Sequence, residues 1–462
     1  MDAALAITQS ALQSAATQID VAAQNIANTN TPGYVEETAQ PVPLPGGVDG
    51  VGSGVGITTI TQATNTLLSA NNNQAQGALS SLTSLQQIMT GLQDAFPLSQ
   101  ATDSAGNPTS TGIAGQLSSF WSSWDGVANA PGQAAPRQGV IGAAQNVANS
   151  LNEASTQLNQ LTGNTENQLT QQVTAANQLL SSIASLNAQI ATANAATGGA
   201  AQLNDQQAQD VAQLAKLTGA STIQEQGGGL QVSINGITVV EGATALRLAV
   251  TSTVGASGGT TWGLQTNQGT PVNVQSGTTA GLVSGLNTYI PQYLSDINGV
   301  ASNLVTTVNA QLASGYDAAG TSGSVNPLFV TSGTTAGTIA VNPAVANNPN
   351  LLAASDTTGA AAANNGANAQ TMAELANSTT GPDANYQTLI EQLGTSAQAV
   401  NNQVNSQAAV AQQTKSSLNA ATGVNQDAEL TRLLSYQQSY QAAAKVLTID
   451  NTAVQALLSA VQ

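Results

Sequence analysis

The sequence predicts a mainly α-helical protein with an inserted β domain, in which a helix at each end of the chain contributes to a coiled coil. Apolar residues recur at seven-residue intervals near both ends, and most of the chain between them has helical apolar spacing. One stretch, 221–275, changes to the alternation that is typical of strands. The expected architecture is terminal coiled-coil helices, a helical rod-like domain and a small outer β domain.

The first terminal helix carries its apolar residues in one row: Leu5, Leu12, Ile19 and Ile26. Alanines fill most of the intermediate turns, so this row predicts a helix with one narrow apolar stripe. The helix should end before Pro32-Gly33, because proline disfavours the helical conformation in the residue before it and glycine permits a tight turn.

The last helix carries two heptad rows. One row consists of Leu433, Tyr440, Leu447, Val454 and Val461, and the other of Leu430, Gln437, Ala444, Asn451 and Leu458. Polar residues in a coiled-coil seam can fix its register. An isolated heptad helix leaves its stripe uncovered, so we expect the two terminal helices to fold against each other and against adjacent subunits. The alternative is that both rows pack onto the core of an ordinary globular protein.

Further helices are predicted at 64–96, 115–127, 133–161, 166–195, 205–217, 281–312 and 386–422, arranged as a bundle or rod. Alternating apolar residues on both sides of Asn235-Gly236 predict a hairpin with a type I′ turn. The stretch 316–354 should be irregular and the Ala/Asn run 359–369 a mobile loop.

These elements predict three domains. Residues 1–60 and 424–462 form the terminal coiled-coil domain, and 61–220, 280–320 and 356–423 form the helical rod domain. Residues 221–279 form the β domain, either alone or together with 321–355. This nesting brings the two ends of the chain together.

Composition excludes several functional classes. The chain has 23 acidic and 6 basic residues, a net charge of -17, so nucleic acid and anionic membrane surfaces are not expected partners. It has no cysteine and no histidine, which removes thiolate chemistry, the usual metal ligand and the usual neutral-pH base. The first residues do not resemble a cleavable signal peptide, and no segment is apolar enough to span a membrane.

The remaining candidate chemical sites have simpler explanations. The glycine loop 50–56 lacks the lysine of a phosphate-binding loop. Asp317 lacks the spaced carboxylates of a calcium loop and reads as a turn residue. The aromatic cluster Phe120, Trp121 and Trp124 has helical spacing and reads as core. We therefore predict no enzyme activity, no catalytic residue, no cofactor and no metal.

Residues 22–39 read AAQNIANTNTPGYVEETA. This segment resembles the signature of flagellar axial proteins, with the family turn at Asn30, Pro32, Gly33 and Tyr34. Residues 117–141, 187–217, 292–320 and 423–447 are similar, in the same order, to the FlgK family of flagellar hook-associated proteins. The resemblance covers most of the chain.

The resemblance implies a structural subunit that joins the hook of the bacterial flagellum to its filament. It implies type III export without a cleaved signal peptide and an extracellular location. Expected partners are a ring of identical subunits, the hook protein, the third hook-associated protein and an export chaperone on the C-terminal helix. Alternatives are another axial protein, of hook or distal rod, and a secreted adhesin. Gln62 and Asn204 are neutral where the family is expected to carry charge, so an ion pair with Asp205 is not expected.

Overall fold

The computed structural model describes residues 2–31, 33–46, 52–97, 100–102, 108–110, 112–196, 200–225, 229–255 and 259–461. The two ends of the chain come together, as the nested order predicts. The terminal elements are α1 (Asp2–Ala27), the hairpin strands β1 (Glu37–Pro43) and β2 (Val55–Gln62), and α11 (Gln426–Val461). Helix α1 packs on α11 and on both strands of the hairpin.

The helical body is built from helices, most of which are long. They are α2 (Thr66–Ala95), α3 (Ile113–Asn129), α4 (Ala134–Ala196), α5 (Ala201–Thr218), α6 (Thr278–Ser284), α7 (Ile290–Ala313) and α10 (Pro382–Thr422). A π-helical turn, Gly285–Tyr289, joins α6 to α7. The short strands β3 (Gln100–Thr102) and β4 (Pro108–Ser110) pair between α2 and α3.

The core of this body is built around aromatic residues of α3. The Phe120 ring lies 4.9 Å from that of Trp121 and 6.2 Å from that of Trp124, edge to face in the second case. Phe329 approaches the same ring from another segment at 6.1 Å. All four side chains are buried, which confirms the prediction that the α3 cluster is core.

The insertion between α5 and α6 is antiparallel β. One sheet has the order β5 (Ser221–Gln224), β6 (Leu230–Ile234), β7 (Ile237–Glu241) and β8 (Thr244–Ala245); the other joins β9 (Leu248–Val254), β10 (Thr260–Thr266) and β11 (Pro271–Val272). At the β6–β7 turn, Asn235 and Gly236 have φ values of 46° and 83°. Two positive φ values are those of a type I′ turn, so the predicted hairpin is confirmed.

Helix asparagines attach this insertion to the helical body. Asn177 of α4 exchanges both hydrogen bonds with the backbone of Leu248, at 2.7 and 2.9 Å. Asn187 does the same with Leu230, at 2.8 Å each way, and Asn287 of the π-helical turn with Trp262, at 2.7 and 2.8 Å. Each amide therefore pairs with a strand residue as a neighbouring strand would.

Residues 314–381 wrap around the helical body. This segment contains α8 (Pro343–Asn347), α9 (Ala367–Glu374) and three 3₁₀ turns (Pro349–Leu351, Gly359–Asn364 and Leu375–Asn377). Buried Arg137 of α4 donates to the backbone oxygen of Leu352 at 2.5 Å, and Asn309 of α7 pairs with both backbone groups of Phe329. The stretch 316–354 is irregular apart from short bridges and turns, as predicted.

Two predictions, one about this region and one about α4, are wrong. The run 359–369 is not a loop, because Ala362 and Ala369 are buried and anchor a 3₁₀ turn and α9. The predicted helices 133–161 and 166–195 are one helix, α4. Leu158 and Leu169 are both fully buried, so packing on either side of Gly163 outweighs the roughly 1 kcal/mol that a glycine costs inside a helix.

Candidate assembly interface

The terminal helices lie side by side in antiparallel order. Helix α1 ends, and α11 begins, at the joint where Asn25 meets Glu429. From that contact α1 continues for about 35 Å, at ~1.5 Å per residue, which covers α11 to about Thr452. The last residues of α11 therefore extend beyond α1.

Small and polar residues form most of the buried face of α1. The buried residues of this helix are Thr8, Ser14, Ala15, Val21, Ala22 and Asn25. The predicted row lies beside this face: Leu12, Ile19 and Ile26 are half-buried, and Leu5 is 44% exposed. Contact within the protomer therefore uses small residues and leaves the larger apolar residues partly uncovered.

Helix α11 turns the row that begins at Leu433 towards α1. Leu433 and Leu447 are half-buried, whereas Tyr440 and Val454 keep 41% and 36% of their surface exposed. From the other predicted row, Leu430 is 42% exposed. The side chains of Leu458 and Val461 lie outside the described residues.

A second apolar stripe on α11 was missed by the sequence analysis. Leu434, Val446 and Ile449 are 59%, 50% and 62% exposed, and at ~100° per residue they point away from the face that meets α1. None of the three stands in the two heptad rows on which the prediction was based. We call Leu434, Val446 and Ile449 the outer stripe.

A buried amide holds the base of the helix pair. The Asn25 side chain donates to the backbone oxygen of Glu37 at 2.7 Å and to Oε2 of Glu429 at 3.2 Å. Its carbonyl accepts from the backbone N–H of Glu37 at 3.0 Å and from the Tyr34 hydroxyl at 2.9 Å. One fully buried side chain thus links α1, the following turn, β1 and α11.

Glu36 ties together the segments that cross from the terminal pair to the helical body. Its backbone N–H donates to Thr422 at 3.0 Å, and its backbone oxygen accepts from Ala63 at 2.9 Å. Its carboxylate pairs with Arg432, which also pairs with the buried carboxylate of Glu429. The end of α10 and the starts of α2 and α11 are therefore fixed relative to one another.

The predicted family turn lies at this joint. Gly33 has φ +82°, and a Cβ there would lie 2.8 Å from Nε2 of Gln209. Burial, followed by the charges of Glu37, Asp205 and Glu429, raises the pKa of Tyr34, so its hydroxyl remains a donor. Asn30 is exposed in the turn, and Pro32 lies outside the described residues.

Asp205 connects the hairpin to α5 through the neutral side chain of Gln62. Nε2 of Gln62 donates to Oδ1 of Asp205 at 2.9 Å and to the backbone oxygen of Ala201 at 3.2 Å. Burial raises the pKa of Asp205 to about 6, and burial also raises the pKa of nearby Glu37. Both carboxyl groups are therefore less favourable in their charged form here than in water.

Asp317, the candidate calcium ligand, has a structural role in a turn. Oδ1 of Asp317 accepts from the backbone N–H groups of Ala319 and Thr321, at 2.9 and 2.8 Å, which closes a turn. Within the described ranges, no group of three or more metal-binding side chains converges. The helices of those same ranges include none that is long and apolar enough to cross a bilayer.

The helical body and the terminal segments match different flagellar family models. Residues 98–329, half of the chain, match the model described as the flagellar hook-associated protein FlgK helical domain. Residues 5–34 match the flagella basal body rod protein model, and residues 418–460 match the C-terminal model of the flagellar basal body rod FlgEFG proteins.

Full-length relatives agree with the model that covers the helical body. Flagellar hook-associated protein 1 of Salmonella typhimurium is 26% identical over 325 residues, which is 68% of this chain and 57% of that protein. The protein of the same name from Escherichia coli is 25% identical over 334 residues, 68% of this chain and 58% of its own length. The chain thus spans little more than half the length of these relatives.

A solved structure is also similar in part. The hook junction protein FlgK of Burkholderia pseudomallei is 25% identical with a TM-score of 0.49, over 56% of this chain and 46% of that one. The match of half the chain to the helical-domain model shows the family directly. This chain belongs to the FlgK family of flagellar hook-associated proteins.

Proposed function

We propose that this chain is a structural subunit that joins the flagellar hook to the filament, and that it performs no catalysis. The observation that carries the proposal is the construction of the terminal pair. Small residues hold α1 to α11 inside the protomer, while the outer stripe, Leu5 and Leu430 keep large apolar surfaces for neighbouring subunits. Matches of the terminal segments to rod-protein models support a role shared with other axial proteins.

The uncovered apolar surface is large enough to favour association. Complete burial of a leucine-sized side chain contributes roughly 1.5–3 kcal/mol, and each residue of the outer stripe is at least half exposed. Covering each should therefore contribute about 1 kcal/mol, or about 3 kcal/mol per subunit from the outer stripe. Repetition around a closed ring multiplies this contribution.

The proposed partners are those that the family resemblance implies, and this surface is where we propose that they bind. They are further copies of the chain in a ring, the hook protein on one side and the third hook-associated protein on the other. An export chaperone would cover α11 before assembly, because an exposed apolar stripe promotes aggregation. The proposed location is extracellular, in the flagellum, after type III export without a cleaved signal peptide.

We also propose the domain division 1–60 with 424–462, 61–220 with 280–320 and 356–423, and 221–279. Residues 321–355 belong with the helical rod in this proposal. The bonds of Arg137 to Leu352 and of Asn309 to Phe329 support that assignment.

The outer stripe provides the test. Ile449→Asp and Leu434→Asp place a charge on a surface that is exposed in the protomer, so the chain should still fold. Leu447→Asp disturbs the row that faces α1, and Val454→Asp disturbs the continuation of that row just beyond α1. All four variants should fail to incorporate at the hook tip, leaving finished hooks and flagellin lost to the medium.

The matched control is Gln392→Asp, which adds the same charge at an exposed polar position of α10, outside the terminal pair, and should assemble normally. Normal filament growth in the Ile449→Asp and Leu434→Asp strains would contradict the proposed interface. Antibody labelling along the hook, and not at its tip, would favour a hook or distal rod protein. Binding of a host molecule, with normal filaments after deletion of the insertion, would favour an adhesin.

A further inference from the structure

A polar groove separates part of α4 from the insertion. It encloses about 710 Å³ and is partly open to solvent. Thr174, Gln178, Ser181, Ser185 and Gln189 of α4 line one side, and Arg247 of the insertion lines the other. We call this the Arg247 groove. Its volume is large enough for several residues of another chain.

The groove offers hydrogen-bonding groups that the protomer leaves unused. Within the described part of the chain, the side chains of Gln178 and Ser181 make no hydrogen bond. The Asp210 carboxylate behind the groove is buried and accepts from Ser182 and Gln206, at 2.6 and 2.9 Å. Residues 167–196 of α4 contain no charged residue. The α4 wall therefore carries free amide and hydroxyl groups and no charge.

Arg247 is exposed and forms no ion pair with any residue that the structure describes. The other two arginines have partners: Arg432 pairs with Glu36 and Glu429, and Arg137 is buried against backbone carbonyls. A guanidinium beside free amides and hydroxyls suits a carboxylate, because its N–H groups can bind both carboxylate oxygens while the neighbours supply further bonds.

We propose that the Arg247 groove receives a segment of a second copy of this chain that carries an exposed carboxylate. Local charge complementarity supports this occupant, because Arg247 is a cation beside an uncharged wall and each copy exposes carboxylates such as those of Glu153 and Glu374. The proposal adds a lateral contact to the proposed function and does not depend on the terminal helices.

Self-association of the full-length chain tests the proposal. Sedimentation at increasing concentration should show association that weakens about tenfold or more in Arg247→Glu, as expected when a charge pair becomes a repulsion. The association of Arg247→Lys should be weaker than that of the wild type and stronger than that of Arg247→Glu, because lysine keeps the charge but cannot bind both carboxylate oxygens in the same geometry. Lys415→Glu makes the same change in charge at an exposed position of α10 and should associate as strongly as the wild type.

Rescue identifies the occupant. In the Arg247→Glu background, one exposed acid at a time is changed to arginine. The candidates are the acids that the structure shows as exposed: Asp20, Asp94, Asp125, Glu153, Glu241, Asp356, Glu374, Glu391 and Asp427. If a second copy fills the groove, one of these exchanges should restore association, since it re-forms the pair with its signs reversed.

Three results would overturn the proposal. The first is that Arg247→Glu associates as strongly as the wild type. If the purified wild-type chain stays monomeric, the corresponding result is that Arg247→Glu is incorporated into flagella as well as the wild type. The second is an equal loss in Lys415→Glu, which would indicate a general charge effect. The third is the absence of rescue by every exchange, which would exclude a second copy. Normal assembly of Ile449→Asp would instead contradict the proposed function and would not affect the proposal about the Arg247 groove.

Discussion

The buried amide of Asn25 makes the joint open to a single-atom test. Asn25→Asp keeps the shape of the side chain and replaces the donating NH₂ with an oxygen. That oxygen would face the backbone oxygen of Glu37 and the carboxylate of Glu429, which now receive hydrogen bonds of 2.7 and 3.2 Å. Each buried acceptor left unsatisfied costs ~1–3 kcal/mol. We expect the terminal pair to lose about 3 kcal/mol of stability relative to the helical body.

Hydrogen exchange resolved by segment measures this loss where it occurs. A change of about 3 kcal/mol corresponds to roughly 100-fold faster exchange of amides in α1 and α11 through opening of the joint. Amides of α4, whose core does not include Asn25, should exchange at the wild-type rate. A protonated carboxyl regains a donor, so the defect should shrink as the pH is lowered.

Asn30→Asp is the matched control. Asn30 lies five residues further along the same segment and is exposed. The same chemical change there should alter stability by less than about 0.5 kcal/mol. Wild-type exchange of α1 and α11 in Asn25→Asp, or an equal effect in the control, would refute the conclusion that this amide holds the joint.

Three further predictions concern individual residues. Burial raises the pKa of Asp205 to about 6, so its contribution to stability is complete below about pH 4 and is lost as the pH rises to about 6. The loss should be less than about 1 kcal/mol because the group is partly exposed, and Asp205→Asn should abolish it. A pH profile of thermal unfolding between pH 4 and 7 that is the same in Asp205→Asn and in the wild type would contradict this prediction. Gly33→Ala should destabilise the joint by about 1–2 kcal/mol, since φ is +82° and the added Cβ would meet Gln209, and faster hydrogen exchange in α1 and α11 would measure this. Gly163→Ala, on an open surface of α4, should stabilise the chain by about 0.5–1 kcal/mol in denaturant unfolding, and a loss would show that Gly163 is required there.

Sequence periodicity predicts the helices and the β hairpin because those depend on neighbours within a few residues. It does not predict which face of a helix meets which partner. Leu433 and Leu434 are adjacent and chemically identical, yet the first is half-buried towards α1 and the second is 59% exposed. That difference depends on the small residues of α1, which lie about four hundred positions away along the chain.

The polar joint is harder to predict for the same reason. Asn25 and Glu429 are 404 positions apart, and Gln62 and Asp205 are 143 apart. Neither pair has any spacing that a periodic pattern could reveal. The family resemblance directs attention to the turn at Gly33 and Tyr34, but the contacts that fix this turn come from α11 and α5, and only the fold brings those helices to it.

Five asparagines connect the unusual composition to the way the parts are joined. Asn25, Asn177, Asn187, Asn287 and Asn309 each exchange both hydrogen bonds with the backbone of one residue in an extended segment, respectively Glu37, Leu248, Leu230, Trp262 and Phe329. A side-chain amide has the donor and acceptor of a peptide group, so each helix satisfies strand backbone that would otherwise be buried without a partner. Aspartate lacks the donor and lysine lacks the acceptor, so neither can replace asparagine in this contact. A chain whose charged residues are only 6% of its length can therefore fasten strands to helices with neutral groups, and these attachments depend little on the salt concentration around the protein.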